Sequence, residues 1–367
     1  MNRRIDPDKA KARVEKLRER IDALDVEIQK RISERARLAQ EIAKAKKTGG
    51  ATMFYRPDRE AEVLRNALGR NEGPLSDEVV VRLFREIISA CLALESELTI
   101  AFLGPQGTFT QEAALKHFGH AVRTKPLGAI DEVFREVESG TADFGVVPVE
   151  NSTEGVINHT LDMFMNSPLK ICGEVELRIH HHLLGKGTDR KTARRVVSHQ
   201  QSLAQCREWL DANLPGIERS AVSSNAEAAR IAAAEQGTLA IASDSAAQIY
   251  GLDVVASNIE DNPDNTTRFL VIGKLAPAPS GTDKTSLLVS GKNRPGALHR
   301  LLAPLSRHGI NMTRIESRPS RRSRWEYVFF VDVDGHVKDR KLAKALAALE
   351  KEAAFVKLLG SYPKAVV

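Results

Sequence analysis

The start of the chain carries the feature that most restricts its fold, a stretch from Asp8 to Lys47 without glycine or proline. Apolar residues recur there at spacings of three or four, the period of an amphipathic helix: Val14, Leu17, Ile21, Leu24, Ile28 and Ile32. We predict one helix of about 40 residues, followed by shorter helices near 57–68 and 76–97. Three such helices cannot enclose a core alone, so a homodimer or higher homo-oligomer is expected.

Composition excludes several classes of protein. The 367 residues, 42% of them hydrophobic and 28% charged, are enough for two or three domains. No run approaches the roughly 18 apolar residues of a membrane span, and the charged start does not resemble a secretory signal, so a cytoplasmic protein is expected. Cys91, Cys172 and Cys206 are far apart, which indicates reduced thiols rather than a zinc site. The net charge of +6 suits an enzyme for anionic metabolites.

The middle of the chain alternates short apolar runs with helical stretches. Buried strands are predicted at 98–103, 144–149, 195–198 and 239–242. Strands that alternate with helices indicate a parallel α/β pattern. Because this region continues to Lys274, it suits two lobes with a cleft between them.

The last part follows a linker at 277–281 that is rich in proline and glycine. Strands are predicted at 285–290, 310–316, 325–333 and 355–359, with helices at 295–307 and 338–352. This βαββαβ order is typical of the ferredoxin-like split unit. The chain is therefore predicted to be multidomain, with an all-α part at 1–97, a two-lobed α/β part at 98–275 and an α+β part at 283–367.

Cations on the first helix fall on two faces. Arg35 and Lys46 are eleven residues apart and lie within about 20° of one face, whereas Arg18 lies about 100° away from Arg35. One helix can thus supply cations to two different sites. Spacing alone leaves open a solvated basic face.

The helical part resembles the all-helical chorismate mutases. The resemblance rests on Leu17-Arg18, Ala23-Leu24-Asp25, Glu34-Arg35, Lys44-Ala45-Lys46, Asp58-Arg59-Glu60 and the run from Arg82 to Ile88. It implies two interlaced chains that rearrange chorismate to prephenate. Arg18 of the partner chain and Arg35 would hold the carboxylates, with Arg59 also in the pocket. Lys46 would donate to the ether oxygen and Glu60 would bind the substrate hydroxyl.

Three positions depart from that family's pattern. Glu95 stands where many members have a glutamine beside the ether oxygen, and a carboxyl group donates a hydrogen bond only when protonated. Mutase activity is therefore expected to fall as pH rises through the titration of Glu95. Arg56 and Cys91 replace an aspartate and a serine of some members. These departures keep open a purely structural, dimerising role for the helices.

Polar motifs end two predicted strands in the middle part. Gly104-Pro105-Gln106-Gly107-Thr108-Phe109 opens a helix, where backbone N–H groups can bind an anion. Val147-Pro148-Val149-Glu150-Asn151-Ser152 ends another strand, at the edge where α/β sheets place ligands. Each motif alone fits a structural turn or cap equally well.

Together with Ser198-His199-Gln200-Gln201 and Asn265-Thr266-Thr267-Arg268-Phe269, these motifs resemble the prephenate dehydratases. The resemblance covers 98–274 and implies two lobes like those of a periplasmic binding protein. Prephenate would lose carbon dioxide and its ring hydroxyl to give phenylpyruvate, without a cofactor. Thr267 would donate a hydrogen bond to the leaving hydroxyl and Arg268 would anchor a carboxylate. The other expected substrate-binding residues are Gly107, Thr108, Glu150, Asn151, Ser152 and Phe269.

Consecutive histidines, His180 to His182, suggest a metal site, but only the first and third would share a face of a strand. No acidic or cysteine ligand adjoins them in sequence, so strand histidines without a metal are expected.

Two motifs in the last part resemble the effector motifs of ACT domains fused to prephenate dehydratases. They are Gly296-Ala297-Leu298 and Glu316-Ser317-Arg318. The resemblance implies that phenylalanine binds between paired domains, with the second motif closing over it. Arg321, Arg322 and Arg324 form one basic loop, which is thin evidence for nucleic-acid binding.

All three resemblances, in this order, imply a bifunctional chorismate mutase and prephenate dehydratase that phenylalanine inhibits. One alternative is a dehydratase whose helices only dimerise. Another is an amino-acid-sensing regulator, which the unbroken first helix disfavours because DNA-binding heads use two short helices about a tight turn.

Overall fold

A computed structural model describes residues 7–49, 55–291, 294–319 and 327–366. The first part is helical, with α1 (Pro7–Thr48), α2 (Pro57–Leu68) and α3 (Asp77–Ala93). These helices confirm the predicted ones to within a few residues. Most of the apolar stripe on α1 is exposed, including Ile21 at 55% and Leu24 at 61%. Within the described ranges, no helix is long and apolar enough to cross a membrane.

The middle part forms two sheets, each with helices. The first lobe contains β1 (Thr99–Leu103), α4 (Phe109–Phe118), β2 (Arg123–Leu127), α5 (Ile130–Ser139), β3 (Phe144–Asn151), β4 (Gly155–Val156), α6 (Asn158–Asn166) and β5 (Lys170–Arg178). The second lobe contains β6 (His182–Gly185), β7 (Arg195–His199), α7 (Gln200–Gln205), α8 (Arg207–Asn213), β8 (Glu218–Val222), α9 (Asn225–Ala234), β9 (Thr238–Ala242), α10 (Asp244–Tyr250) and β10 (Asp253–Ala256). The chain then returns to the first lobe as β11 (Thr266–Gly273).

Strand order confirms the two lobes but corrects the purely parallel pattern. The first sheet has the order β2-β1-β3-β11-β5, with β4 on β3, and the second has the order β10-β6-β9-β7-β8. β11 runs antiparallel to both β3 and β5. The reason is its route: β3 ends at the cleft, whereas β11 starts there after returning from the second lobe. The residues at the end of β3 and at the start of β11 therefore meet beside the cleft.

The last part contains β12 (Asp283–Gly291), α11 (Ala297–Arg307), β13 (Met312–Pro319), β14 (Tyr327–Asp334), α12 (Arg340–Glu352) and β15 (Ala353–Pro363). Its antiparallel sheet has the order β13-β14-β12-β15, which confirms the predicted ferredoxin-like arrangement. One face carries α11 and α12 over an apolar core. The other face shares a core with the first lobe, to which Leu288, Phe330, Leu359 and Tyr362 contribute.

The three parts are joined by buried contacts. Tyr55, 3% exposed, lies against aromatic residues of the first lobe, and its hydroxyl is 3.1 Å from Nε2 of His117. Arg65 on α2 donates hydrogen bonds of 2.9 and 2.8 Å to the carbonyls of Ser280 and Thr282, in the linker before β12. Where β15 crosses β5, a Cβ at Gly360 would clash with the backbone of Ile171, so glycine permits this close approach.

Candidate active sites

A cavity of about 550 Å³ lies between α1, α2 and α3, and we call it the helical cavity. It gathers five residues that the sequence singled out from three separate segments: Arg35, Lys46, Arg59, Glu60 and Glu95. Arg35 and Lys46 share a helical face, as their spacing predicted, and α2 and the end of α3 bring the other three opposite them. These five residues comprise three cations, which are groups that bind carboxylates, and two carboxyl groups, although Arg59 also pairs with Glu62 of the lining at 2.5 Å.

Glu60 is the more buried of the two carboxyl groups. Burial raises its pKa to about 7, against the opposing effect of Arg85, whose Nε lies 3.7 Å from Oε1 of Glu60. Among the described residues, no hydrogen-bond partner reaches this Nε. Sequence reasoning used Arg85 only as part of a matching run and missed its place beside Glu60.

Glu95 follows the end of α3. Burial raises the pKa of its carboxyl group, although the nearby positive charges of Lys46, Arg35 and Lys47 lower it. Its Oε2 atom is buried, and no hydrogen-bond partner for it occurs in the described part of the chain. A protonated carboxyl group with an unused O–H is a donor.

Arg18 lies elsewhere. It is exposed on α1, 17 residues before Arg35, which is about 25 Å along a helix. A side chain cannot span that distance, so Arg18 does not reach the helical cavity of its own chain. Arg56 and Cys91 do line the cavity. The guanidinium of Arg56 forms a forked pair with the buried Asp58, at 3.0 and 2.6 Å, which holds it at the rim.

A second cavity, of about 310 Å³, opens between the two lobes of the middle part, and we call it the cleft. Of the residues predicted to bind there, Thr108, Asn151 and Thr267 line it. Thr267 begins β11 beside Asn151 at the end of β3, and these two residues are register partners. The Nδ2 atom of Asn151 is 2.7 Å from Oγ1 of Thr267.

The hydrogen bonds of Asn151 fix the direction of the Thr267 hydroxyl. Oδ1 of Asn151 accepts the backbone N–H groups of Thr153 and Glu154, both at 3.0 Å. Its Nδ2 must therefore donate to Oγ1 of Thr267, so that the threonine oxygen is an acceptor in this contact. Within the described residues, the hydroxyl proton of Thr267 has no acceptor and remains available to a ligand.

Neutral donors surround the rest of the cleft. Three helices begin at it: α4 through Thr108, α7 through Gln201 and Ser202, and α9 through Ser224 and Asn225. Helix N-termini carry partial positive charge and unpaired N–H groups, so they favour carboxylates. The described residues that line the cleft include no lysine or arginine.

Several contributors to the cleft were missed in the sequence, namely His181, Ser202, Gln205 and Asn225. His180 and His181 lie between β5 and β6 rather than on a strand, so the prediction of strand histidines is correct only for His182. Nε2 of His181 is 2.9 Å from Oε1 of Gln205, and burial lowers the pKa of the His181 ring. His180 instead pairs with Glu260 at 2.7 Å. The position of His181 in the cleft depends on how the two lobes meet, which its local sequence does not show.

Arg268 and Glu150 contradict the prediction that they bind substrate. Side chains alternate along a strand, so the neighbours of Thr267 and Asn151 point to the opposite face of the sheet. There Arg268 is 2.7 Å from Asp332 and 2.9 Å from Glu174, and Glu150 is 2.9 Å from Arg314. Neither side chain lies at the cleft.

Phe269 also contradicts its assignment, since it is 1% exposed and packs in the core of the first lobe. Gly107 and Ser152 make contacts within the protein: the N–H of Gly107 donates to Gln111 at 2.7 Å, and the N–H of Thr266 donates to Oγ of Ser152 at 3.0 Å. Both shape loops beside the cleft rather than lining it.

The predicted effector residues fall on different faces of the last part. Gly296 has a φ of 74° and caps α11, followed by Ala297 and the 39% exposed Leu298. Ser317 is exposed, whereas Glu316 and Arg318 are partly buried on the other face of β13, and Arg318 is 2.8 Å from Asp162 of α6. The prediction that Arg318 closes over an effector is therefore wrong for this conformation. Arg321, Arg322 and Arg324 lie outside the described residues.

Comparison with known proteins covers nearly the whole chain. Family models match at residues 17–96 (chorismate mutase type II), 100–277 (prephenate dehydratase) and 285–351 (ACT domain). A bifunctional chorismate mutase/prephenate dehydratase of Stutzerimonas stutzeri is 58% identical over 96% of this chain and 98% of its own. The Pseudomonas aeruginosa protein of the same description is 56% identical over 99% and 100%. The prephenate dehydratase of Arthrobacter aurescens, solved in complex with L-Phe, is 36% identical, with a TM-score of 0.68 over 74% of this chain and 93% of that one.

Proposed function

This chain belongs to the bifunctional chorismate mutase/prephenate dehydratase family, and from that premise we propose how it divides two consecutive reactions between its two cavities. The helical cavity rearranges chorismate to prephenate. The cleft converts prephenate to phenylpyruvate, with loss of carbon dioxide and water. We assign the mutase to 1–97, the dehydratase to 98–275 and the regulatory ACT domain to 283–367.

The mutase reaction breaks a C–O bond and forms a C–C bond in one step, so it requires neither a nucleophile nor a proton acceptor. Its catalyst must hold the two carboxylates so that the side chain lies over the ring, and must stabilise charge on the ether oxygen. Arg35 and Arg59 suit the carboxylates, and Lys46 with a protonated Glu95 suits the ether oxygen. The observation that supports this function is the convergence of these residues in one cavity.

A second copy of the chain completes this site. Arg18 is far from its own cavity, and α1 exposes the apolar residues Leu17, Ile21, Leu24 and Ile28 on a stripe around it. Pairing two α1 helices would bury those residues and carry Arg18 to the partner's cavity. We infer a homo-oligomer, at least a dimer, on this basis.

In the dehydratase reaction, the electron pair of the breaking C–CO₂ bond enters the ring and expels the hydroxyl group from the opposite carbon. Aromatisation drives the step, so the protein mainly orients the ring and assists departure of hydroxide. Thr267 suits this task because Asn151 donates to its oxygen and leaves its own proton directed to a ligand. That contact is the observation that supports the second function.

Substrate carboxylates in the cleft would be held by the N-termini of α4, α7 and α9, which replace the anchoring role first assigned to Arg268. Asn225 adds an amide donor there, because its Oδ1 already accepts from the backbone N–H of His199 and the hydroxyl group of Ser202. We further propose that phenylalanine, the ligand in the Arthrobacter aurescens complex, inhibits this enzyme through its ACT domain.

Separate assays of chorismate consumption and of phenylpyruvate formation test the proposal, each with and without phenylalanine. Lys46→Met and Thr267→Val are matched single-site variants, and each should abolish one activity and spare the other. Absence of mutase turnover between pH 5 and 8 in the unaltered enzyme would instead support the alternative in which the helical part serves only for dimerisation.

A further inference from the structure

The two strands that carry Asn151 and Thr267 present a second pair of residues on their reverse side. Thr267 and Asn151 are register partners, and so are their neighbours Arg268 and Glu150. Because side chains alternate, the first pair faces the cleft while the second faces the ACT domain. The catalytic hydroxyl is therefore one peptide unit away from a side chain held by another domain.

Arg268 is the centre of that reverse side. Its guanidinium bonds Glu174 of β5 at 3.0 Å, Asp332 of β14 at 2.7 Å and the hydroxyl of Tyr362 on β15 at 3.1 Å. All three of its nitrogens are thus engaged, and two of the three partners belong to the ACT sheet. A planar fork held at three points has very little freedom to rotate.

The ACT domain supplies the remaining members of this group. Lys284 of β12 lies 2.7 Å from Glu174, while Ser286 donates to Asp332 at 2.5 Å. Two cations balance two carboxylates, and the exposed fractions of the four charged side chains are 13, 12, 2 and 7% for Arg268, Lys284, Glu174 and Asp332. Buried charges hold such a geometry tightly, because any separation leaves one of them without compensation.

The neighbouring strand has a weaker link of the same kind. Arg314 of β13 is 2.9 Å from Glu150, but the carboxylate is 39% exposed. Both strands that frame the catalytic pair are therefore attached to the ACT sheet, and the buried attachment lies behind Thr267.

We propose that Arg268 is a positioning residue for the dehydratase, which fixes Thr267 by tying the start of β11 to Asp332 and Tyr362 of the ACT sheet. The inference rests on the proposed role of Thr267. A shift of the ACT sheet would reach the catalytic hydroxyl through one guanidinium and one peptide unit. Arg268 would thus connect the regulatory domain to turnover without touching the substrate.

The test uses Asp332→Asn in the full-length enzyme, a change in the ACT domain that weakens the hold on Arg268. Dehydratase kcat should fall about tenfold or more, since misplacement of a catalytic group by a fraction of an ångström costs rate. The KM for prephenate should change less, because the cleft donors remain in place. Inhibition by phenylalanine should also weaken.

Asp162→Asn is the matched control. It removes another ion pair between the ACT domain and the first lobe, with Arg318 at 2.8 Å, but on α6 rather than on a catalytic strand. Its dehydratase kcat should stay within about twofold of the unaltered enzyme, as expected for a change that leaves Thr267 in place. Arg268→Lys keeps the charge but loses the fork, so it should resemble Asp332→Asn rather than the control.

Mutase turnover of each variant, together with its thermal unfolding, shows that the compared proteins are folded at the assay temperature. An unchanged dehydratase kcat in Asp332→Asn, or an equal loss in Asp162→Asn, would overturn the inference. Lack of dehydratase turnover in the unaltered enzyme would instead refute the proposed function itself, and the inference with it.

Discussion

The helical cavity and the cleft, the two sites proposed for related carboxylates, are built by different physical means. The helical cavity uses charged side chains, among them Lys46 and two carboxyl groups with raised pKa values, Glu60 and Glu95. The cleft uses neutral amides, a hydroxyl group and helix N-termini. A charged site depends on pH and on every cation being present, whereas a site of neutral dipoles depends on the direction of each hydrogen bond. The two activities should therefore fail under different changes.

Thr267→Val should separate the two activities by the largest factor. The change removes the hydroxyl group with little change of volume, so the loss reports on the hydrogen bond to the leaving group. Dehydratase kcat should fall by about 10²–10³ or more, the cost of removing one donor from a preorganised site. Phenylpyruvate formation measures the loss, and chorismate consumption by the same preparation should remain unchanged. Retention of the full dehydratase rate would rule out Thr267 as the donor.

Arg18 and Arg35 test whether the charged site is shared between two chains. Arg18→Met and Arg35→Met should each reduce mutase turnover by about 10²-fold or more, because each removes a charged hydrogen bond to a carboxylate. Coexpression of the two variants should restore about a quarter of the normal mutase activity, since half of the dimers are mixed and each has one intact site.

Dehydratase turnover should be normal in the two single variants and in the mixture, which makes it an internal measure of enzyme concentration. No recovery of mutase activity in the mixture would place Arg18 outside the partner's site.

Glu95→Gln should change the pH profile of the mutase alone. Burial raises the pKa of Glu95, and in the role proposed for it only the protonated form can donate to the ether oxygen. Mutase turnover should therefore decline as pH rises above that pKa, by about tenfold per pH unit at the limit. The glutamine variant should lose this alkaline decline because its amide donates at every pH.

Glu60 should govern the opposite limb of the profile. Burial raises its pKa to about 7, and in its proposed role the ionised form accepts from the substrate hydroxyl. Mutase turnover should therefore fall below that pH in the unaltered enzyme and in Glu95→Gln. Rates measured from pH 5 to 9 separate the two limbs. Identical profiles for the unaltered enzyme and Glu95→Gln would contradict the role of Glu95.

Predictions from the sequence were most reliable for features that depend on a single helix. The period of apolar residues predicted α1, and the spacing of Arg35 and Lys46 placed both on one helical face, which the structure shows lining the helical cavity. It was wrong for Arg268 and Glu150, since a motif does not show which face of its strand meets the cleft and which meets another domain. His181 and Gln205 come together only when the two lobes meet, so no local pattern indicates them.

The smallest expected effect concerns the contact between Tyr55 and His117, which joins the helical part to the first lobe. Tyr55→Phe removes the hydroxyl group beside His117 and leaves a buried ring nitrogen without that partner. The free energy of unfolding should fall by about 1 kcal/mol, the usual cost of a lost hydrogen bond. Denaturant unfolding measures this loss. Dehydratase turnover should stay the same, because Tyr55 packs in the core of the first lobe and does not line the cleft. A fall in dehydratase turnover without loss of mutase turnover would show instead that the helical part helps to set the cleft.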